Sequence, residues 1–161
     1  DKVHALQGDM LELGRKLDSK FDLAFCIGNS LAHLDGINEI EKFLCGIKNL
    51  LVDEGSLIIQ IINYDRVLEK NITSLPLIEN KEAGLTFERF YRLEGNKVMF
   101  KTILKVPGKQ LVNEIPLYPI LLKEITGLLR ASGLTNIRLY GDFQGNKFDK
   151  ENSYALVIEA S

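Results

Sequence analysis

The chain has 161 residues, 45% of them hydrophobic and 26% charged, with a formal net charge of −2. This is the balance of one soluble globular domain with a real apolar core. Nothing in the charge points to nucleic acid. No apolar run is long enough to span a membrane, and no signal-peptide pattern opens the chain. Cys26 and Cys45 lack metal-ligand spacing. One falls in an apolar strand and the other in an amphipathic helix, so both are expected to be buried free thiols, consistent with a reducing cytoplasm. The first residue is Asp1, not Met, and a strand follows almost at once. The expectation is the later part of something longer.

In chain order, residues 3–7 read as a short strand ending in Gly8-Asp9-Met10, and 11–17 as a short helix or turn. Residues 21–28 form the next strand, whose continuous apolar run predicts burial on both faces, as in parallel sheets. Apolar residues at 37, 40, 43, 44, 47, 50 and 51 have helical spacing, and Asp53-Glu54-Gly55 supplies the stop. Residues 56–62 are a second β-branched run. Strand, helix and strand make a right-handed βαβ unit. The pattern then changes. Residues 86–93, 97–106 and 110–117, joined by short Gly-containing turns, predict an antiparallel meander inserted over one face of the α/β core. Tyr118-Pro119 opens a helix running through Ala131 and ended by Ser132-Gly133. Strands at 136–140 and 154–159 close the chain as an antiparallel pair. The α/β core is thus assigned to 1–66 and 119–161, and the meander to 85–117.

Both early strands end in compact polar clusters: Gly28-Asn29-Ser30 with His33 after the first, and Asn63-Tyr64-Asp65 after the second. In open α/β sheets, ligands bind at the carboxyl ends of strands. These clusters are therefore candidates for one rim of an active site.

Taken in order, these segments resemble the class I S-adenosylmethionine-dependent methyltransferases from their third strand onward. Gly8-Asp9-Met10 is similar to the element after that strand. Phe21 to Leu34 is similar to the fourth strand and its turn, and Leu51 to Ile59 to the approach to the fifth, with Glu54 where a Gly is usual. Gly28-Asn-Ser-Leu-Ala-His-Leu34, Asn63-Tyr-Asp65 and Tyr140-Gly-Asp-Phe143 resemble the glycine/sarcosine N-methyltransferase branch. The resemblance implies a Rossmann-like α/β sheet (strands three to seven of the family) with an inserted meander. It implies S-adenosyl-L-methionine as cofactor and N-methylation of a small-molecule acceptor. The family's Gly-rich loop and the acid that holds the cofactor ribose have no counterpart in these residues. The fragment is therefore expected to be inactive alone. Ile62 stands where glycine-specific members carry an Arg that pairs with the substrate carboxylate.

Methyl transfer from a sulfonium needs alignment and exclusion of water, with no metal and no covalent intermediate. The resemblance implies Asp9, Met10, Ile27 and His33 as cofactor-binding residues. It implies Asn29, Ser30 and Tyr64 as catalytic residues, and Asn29, Arg89 and Tyr118 as substrate-binding ones. Each has a plainer reading beside it. Asp9 suits a turn, and Asn29 and Ser30 suit a helix N-cap. His33, Tyr64 and Tyr118 can be packing residues, and Asp65 can cap the helix that starts at Arg66. Period-two alternation puts Arg89 and Tyr91 on one face of their strand and Arg92 on the other. That face either lines the cleft, to meet an anionic or aromatic substrate, or is solvated.

The second class of function is a non-catalytic assembly module that does not bind the cofactor by itself. A nicotinamide oxidoreductase is disfavoured because no Gly-x-Gly-x-x-Gly occurs. In the resembled family the strands run three, two, one, four, five, seven, six across the sheet. Without the first two, the strand at 21–28 has a bare edge. Either strand 3–7 moves beside it or two copies pair through it as a homodimer.

Overall fold

The computed structural model of the chain describes residues 3–161. Two four-stranded sheets organise these residues. The chain runs through α1 (Leu13–Lys16), β1 (Phe21–Cys26), α2 (Ile37–Leu50), β2 (Leu51–Ile62), α3 (Tyr64–Glu69), β3 (Ile78–Asn80), β4 (Leu85–Glu94), β5 (Lys97–Val106), β6 (Lys109–Leu117), α4 (Leu122–Ala131), β7 (Ile137–Tyr140) and β8 (Ala155–Ala160). The first sheet has the order β1-β2-β8-β7, the second β3-β4-β5-β6.

In the first sheet β1 and β2 are parallel, joined through α2, while β8 is antiparallel to both β2 and β7. This lateral order equals that of the fourth, fifth, seventh and sixth strands of the methyltransferase sheet. The apolar stripe of α2 buries Ile40, Phe43, Leu44, Ile47 and Leu50. With Ile125 and Leu129 of α4 it covers the face of the sheet that carries Leu57, Ile59, Ile61 and Ile158. Fully burying a side chain of this kind stabilises by about 1.5–3 kcal/mol, so this layer dominates the stability of the fold. Gly55 permits the close approach where β1 begins. A Cβ there would lie 3.0 Å from the Phe21 carbonyl oxygen, and the β1–β2 register shifts at this point.

The opposite face is bare near β1. Phe21, Leu23 and Phe25 alternate onto it, and Phe25 is 67% exposed. The burial expected on both faces of this strand is therefore not found, because among the described residues β1 pairs only with β2. Residues 3–7, read as a strand, have no strand pairing and are exposed. They do not move beside β1. Residues 1 and 2, placed in the α/β core by the sequence reading, lie outside the described residues.

The three expected meander strands form, with β3 as an additional short edge strand. This second sheet docks on the first through Ala32, Tyr64, Val67, Tyr91, Val98 and Leu117. Two polar ties fix it near the β1 turn. The Tyr118 N–H donates to the Ala32 carbonyl at 2.8 Å, and Lys97 Nζ donates to the Asp35 carbonyl at 2.6 Å. α4 starts at Leu122 and not at Pro119. The Leu122 N–H is taken by the Asp65 carboxylate and the Leu121 N–H by Glu124, which sets the first turn there. Cys26 is buried, and burial pushes its thiol pKa up. Cys45 is exposed, contrary to expectation, because it lies off the apolar stripe of α2. Among the described residues no helix is long and apolar enough to cross a membrane.

Candidate active site

The polar ends of β1 and β2 meet. Asn29 stands just past β1 in a left-handed conformation (φ 64°). Its side-chain oxygen accepts from the Ile62 N–H at 3.0 Å, and its Nδ2 donates to Tyr64 Oη at 2.9 Å. Because Oδ1 faces a backbone donor, the orientation of this amide is fixed, and one Nδ2 hydrogen remains for another acceptor. Gln60 reinforces the junction: its Oε1 accepts from the Gly28 N–H at 2.7 Å and its carbonyl from the Asn29 N–H at 3.2 Å. Gln60 was missed in the sequence reading. Its signal was present, as a polar residue inside an otherwise β-branched run.

Above this junction lies a cavity of about 180 Å³ between the two sheets. Gly28, Asn29, His33 and Ile62 line it from the α/β side, and Arg89, Tyr91 and Phe100 from the meander. Leu75, Leu117 and Tyr154 complete it. Arg89 and Tyr91 thus share the face that lines the cavity, as their alternation allows. Arg92 turns away and pairs with Glu94 and Glu114. A larger cavity of about 300 Å³ lies between α3 and the meander, against Val67, Ile72 and Leu93. It contains none of the strand-end polar residues, so the smaller one is the better chemical site.

The remaining candidates divide. Tyr64 is 1% exposed and sits behind Asn29 without lining the cavity. Burial raises its phenol pKa to about 12, partly opposed by the Asn29 hydrogen bond. It is therefore a neutral hydroxyl at ordinary pH and not a base. Burial likewise raises Tyr91, with lesser contributions from Tyr64 and Tyr154. Ser30 is exposed and donates to the Ile27 carbonyl at 2.7 Å, closing the turn. Neither Asn29 nor Ser30 caps the short 3-10 turn Ser30–His33 with its side chain. Ile27 is 43% exposed at the end of β1.

Asp9 caps its own 3-10 turn by accepting from the Leu11 N–H at 2.9 Å, and Met10 packs on the α2 layer. Tyr118 lies apart from the cavity. It faces Asp35 and Gly36, with Lys97 Nζ 5.6 Å from its ring centroid and its hydroxyl donating to Glu124 at 3.1 Å. Burial and then Glu124 raise its pKa. Asp65 does not cap α3. Asn63 does, accepting from the Arg66 N–H at 3.2 Å, while Asp65 binds the Leu122 N–H and Lys150.

No family model matches the chain. Among curated proteins, a glycine/sarcosine N-methyltransferase of Aphanothece halophytica is 26% identical over 142 residues, which is 88% of this chain and 52% of that protein. Among solved structures, a S-adenosylmethionine-dependent methyltransferase from Clostridium acetobutylicum superposes with a TM-score of 0.77 at 14% identity, covering 96% of this chain and 62% of that one. The CcbJ methyltransferase of Streptomyces caelestis superposes with a TM-score of 0.75 at 17% identity, covering 95% and 61%. The chain spans about half the length of the curated relative described, at 52%. Strand order, sequence similarity and superposition agree: the chain has the Rossmann-like fold of the class I S-adenosylmethionine-dependent methyltransferases, from the fourth strand of their sheet onward.

Proposed function

We propose that this chain is the carboxyl-side part of the catalytic domain of a S-adenosylmethionine-dependent methyltransferase that methylates nitrogen on a small molecule. The observation that carries this reading is the junction of Asn29 with Ile62 and Tyr64 beneath the inter-sheet cavity. It brings the two strand ends most similar to the N-methyltransferases into one structure. The relatives named glycine/sarcosine N-methyltransferase support the same reaction class.

The cofactor supplies a methyl group on sulfur whose leaving group is already activated. The residues present suit one wall of its site. Ile27 is exposed at the tip of β1, and a Cβ on Gly28 would meet nothing within 4 Å, so the backbone there is open to a ligand. Asp9, Met10 and His33 would complete that wall. In this reading the second lone pair of Asn29 Oδ1 accepts from an N–H of the acceptor and leaves the acceptor's own lone pair free for the methyl group, Tyr64 positions Asn29, and Ser30 holds the Ile27 carbonyl. The meander excludes water from the cavity, and Arg89 contacts the acceptor. Tyr118 acts at most from the neighbouring surface. An amine must be neutral to attack, and the apolar wall of Tyr91, Phe100 and Ile62 favours that form.

The test is calorimetric titration of S-adenosylhomocysteine into the 161-residue chain and into a form extended at its N-terminus by whatever its gene encodes upstream. The expected result is tight binding by the extended form alone. Binding by neither removes the enzyme reading. A second reading, a non-catalytic assembly module, is favoured by one observation: among the described residues β1 leaves an unpaired edge beside exposed Leu23 and Phe25. In that reading the partner is a second copy joined through β1, and neither form binds S-adenosylhomocysteine.

A further inference from the structure

We infer that Gln60 is a positioning residue for the cofactor: its side chain fixes the Ile27–Gly28 peptide group so that the Ile27 carbonyl meets the ammonium of the cofactor's amino-acid tail. This deepens the reading of the β1 tip as one wall of the cofactor site and rests on it.

Packing gives Gln60 no reason to be polar. It shares a face of β2 with Ile58 and Ile62, and isoleucine flanks it on both sides in the chain. Its backbone is held opposite Val157 of β8. Toward β1 the parallel ladder ends one residue earlier, at the pair Cys26 and Ile59. Beyond that pair Gln60 takes over the bonding of the β1 tip. Its Oε1 accepts from the Gly28 N–H at 2.7 Å, and its carbonyl accepts from the Asn29 N–H at 3.2 Å. The first of these bonds comes from the side chain, so it depends on the residue being Gln.

The Gly28 N–H and the Ile27 carbonyl are the two ends of one planar peptide group. Gln60 takes the first, and the Ser30 hydroxyl donates to the second at 2.7 Å. The backbone alone does not set the direction of this plane. Gly28 has a φ of 74°, and glycine adopts either sign of φ about as readily. Nor does packing restrain it, since a Cβ on Gly28 would meet nothing within 4 Å. Gln60 therefore decides which polarity the tip of β1 shows. With the N–H drawn to Gln60, the exposed end is a carbonyl, and Ser30 uses one of its two lone pairs. The other accepts from an N–H, and a cationic donor makes the stronger bond. The amino-acid tail of the cofactor carries such a donor in its ammonium. The flipped peptide would present an N–H and suit the carboxylate of the same tail, so the orientation of one peptide group decides how the tail lies.

The test compares Gln60→Met, which keeps the length of the side chain and loses the acceptor, with Gln60→Glu, which keeps the acceptor. Both are made in the N-terminally extended form and titrated by calorimetry. Gln60→Met is expected to bind S-adenosylhomocysteine about tenfold or more weakly than the unaltered form, the least that a hydrogen bond to a charged group supplies. Gln60→Glu keeps most of that affinity. 5′-Methylthioadenosine, which lacks the amino-acid tail, is expected to bind the unaltered and Met forms equally. Amide hydrogen exchange gives a readout without cofactor: Gly28 in the 161-residue chain is protected, loses that protection in Gln60→Met and keeps it in Gln60→Glu. An undiminished S-adenosylhomocysteine affinity in Gln60→Met, or an equal loss for both ligands, overturns the inference. If Gln60→Met does not fold, Gly28 exchange in the unaltered chain and the Glu variant still decides it, and an unprotected Gly28 amide in either overturns it. Absence of S-adenosylhomocysteine binding by the unaltered extended form sinks the methyltransferase reading and this role with it. Intact binding that Gln60→Met leaves unchanged sinks the role of Gln60 alone.

Discussion

Asn29 Nδ2 donates to Tyr64 Oη at 2.9 Å across the gap between the ends of β1 and β2. One bond thus joins the turn after the first core strand to the first residue of α3. Because Tyr64 is 1% exposed, the bond lies where water competes poorly.

Its first consequence is a pH dependence. Burial raises the Tyr64 pKa from 10.0 to about 12, and burial raises Tyr91 as well. Unfolded tyrosines ionise near their ordinary value, so above it the unfolded state releases protons that the folded state keeps. The stabilisation is complete below about pH 10 and disappears as pH rises toward the folded value of about 12. Urea unfolding measured across that interval is expected to show a falling midpoint. Tyr64→Phe flattens the fall and costs about 1 kcal/mol at neutral pH, through the unsatisfied Asn29 amide. An unchanged alkaline slope in that variant contradicts the assignment.

Asn29 itself bears two separable loads. Its φ of 64° favours Gly or Asn over other residues. Its carbonyl oxygen satisfies the Ile62 N–H at 3.0 Å. Asn29→Gly removes only the hydrogen bonds and is expected to cost about 1–3 kcal/mol. Asn29→Ala adds the left-handed penalty of about 1 kcal/mol. Thermal melting should therefore rank the native residue above Gly and Gly above Ala. Equal melting of the two variants would show that the backbone conformation contributes nothing.

The parts of the fold readable from sequence were those that a segment encodes by itself. The stripe of α2 gave its type and buried face directly, and the β-branched run at 56–62 gave the type of β2 but not its buried face. The burial of β1 was misread because an apolar run does not say how many strands will pair with it, and among the described residues only β2 does. Residues 3–7 are apolar enough for a strand but find no partner, so local pattern alone misled. Likewise Asp65 looked like a cap for the helix following it, and only tertiary packing assigns it to the Leu122 N–H. Alternation placed Arg89 and Tyr91 together. That their face looks into a cavity followed from how the meander docks, which no period in the sequence states. Tyr118 illustrates the reverse, since its pairing with Glu124 and Lys97 draws it away from Asn29.

Asn63 should be among the least replaceable residues. At 1% exposure it binds the carbonyls of Lys150 at 2.8 Å and Ser153 at 2.9 Å while capping α3 through the Arg66 N–H. It thereby ties the end of β2 to the connection before β8. Asn63→Ala leaves two carbonyls and a helix N–H unanswered, at an expected cost of about 2–4 kcal/mol. Asn63→Asp keeps the cap but turns a carboxylate toward those two carbonyl oxygens. It should melt below wild type at neutral pH and recover part of the loss in acid, where the protonated group can donate once. Melting temperatures from pH 4 to 8 test this. An Asp variant as stable as wild type at pH 8 would contradict the bonding scheme.

The edge of β1 makes a prediction of another kind. Its outer N–H and C=O groups have no strand partner among the described residues, and Leu23 and Phe25 are 49% and 67% exposed beside them. An unpaired, apolar edge is a template for another strand. Two copies joined antiparallel through β1 would satisfy those groups and cover both side chains. Sedimentation velocity at rising concentration should therefore show self-association of the 161-residue chain. Phe25→Lys places a charge on the contact face, and because this side chain is largely exposed its melting temperature should change little. The variant is expected to remain monomeric where the unaltered chain associates. A monomer at every concentration, or a lysine variant that associates as strongly, would leave the edge without this role. Association would also compete with any segment that covers β1, so the N-terminally extended form should associate less if that segment pairs there.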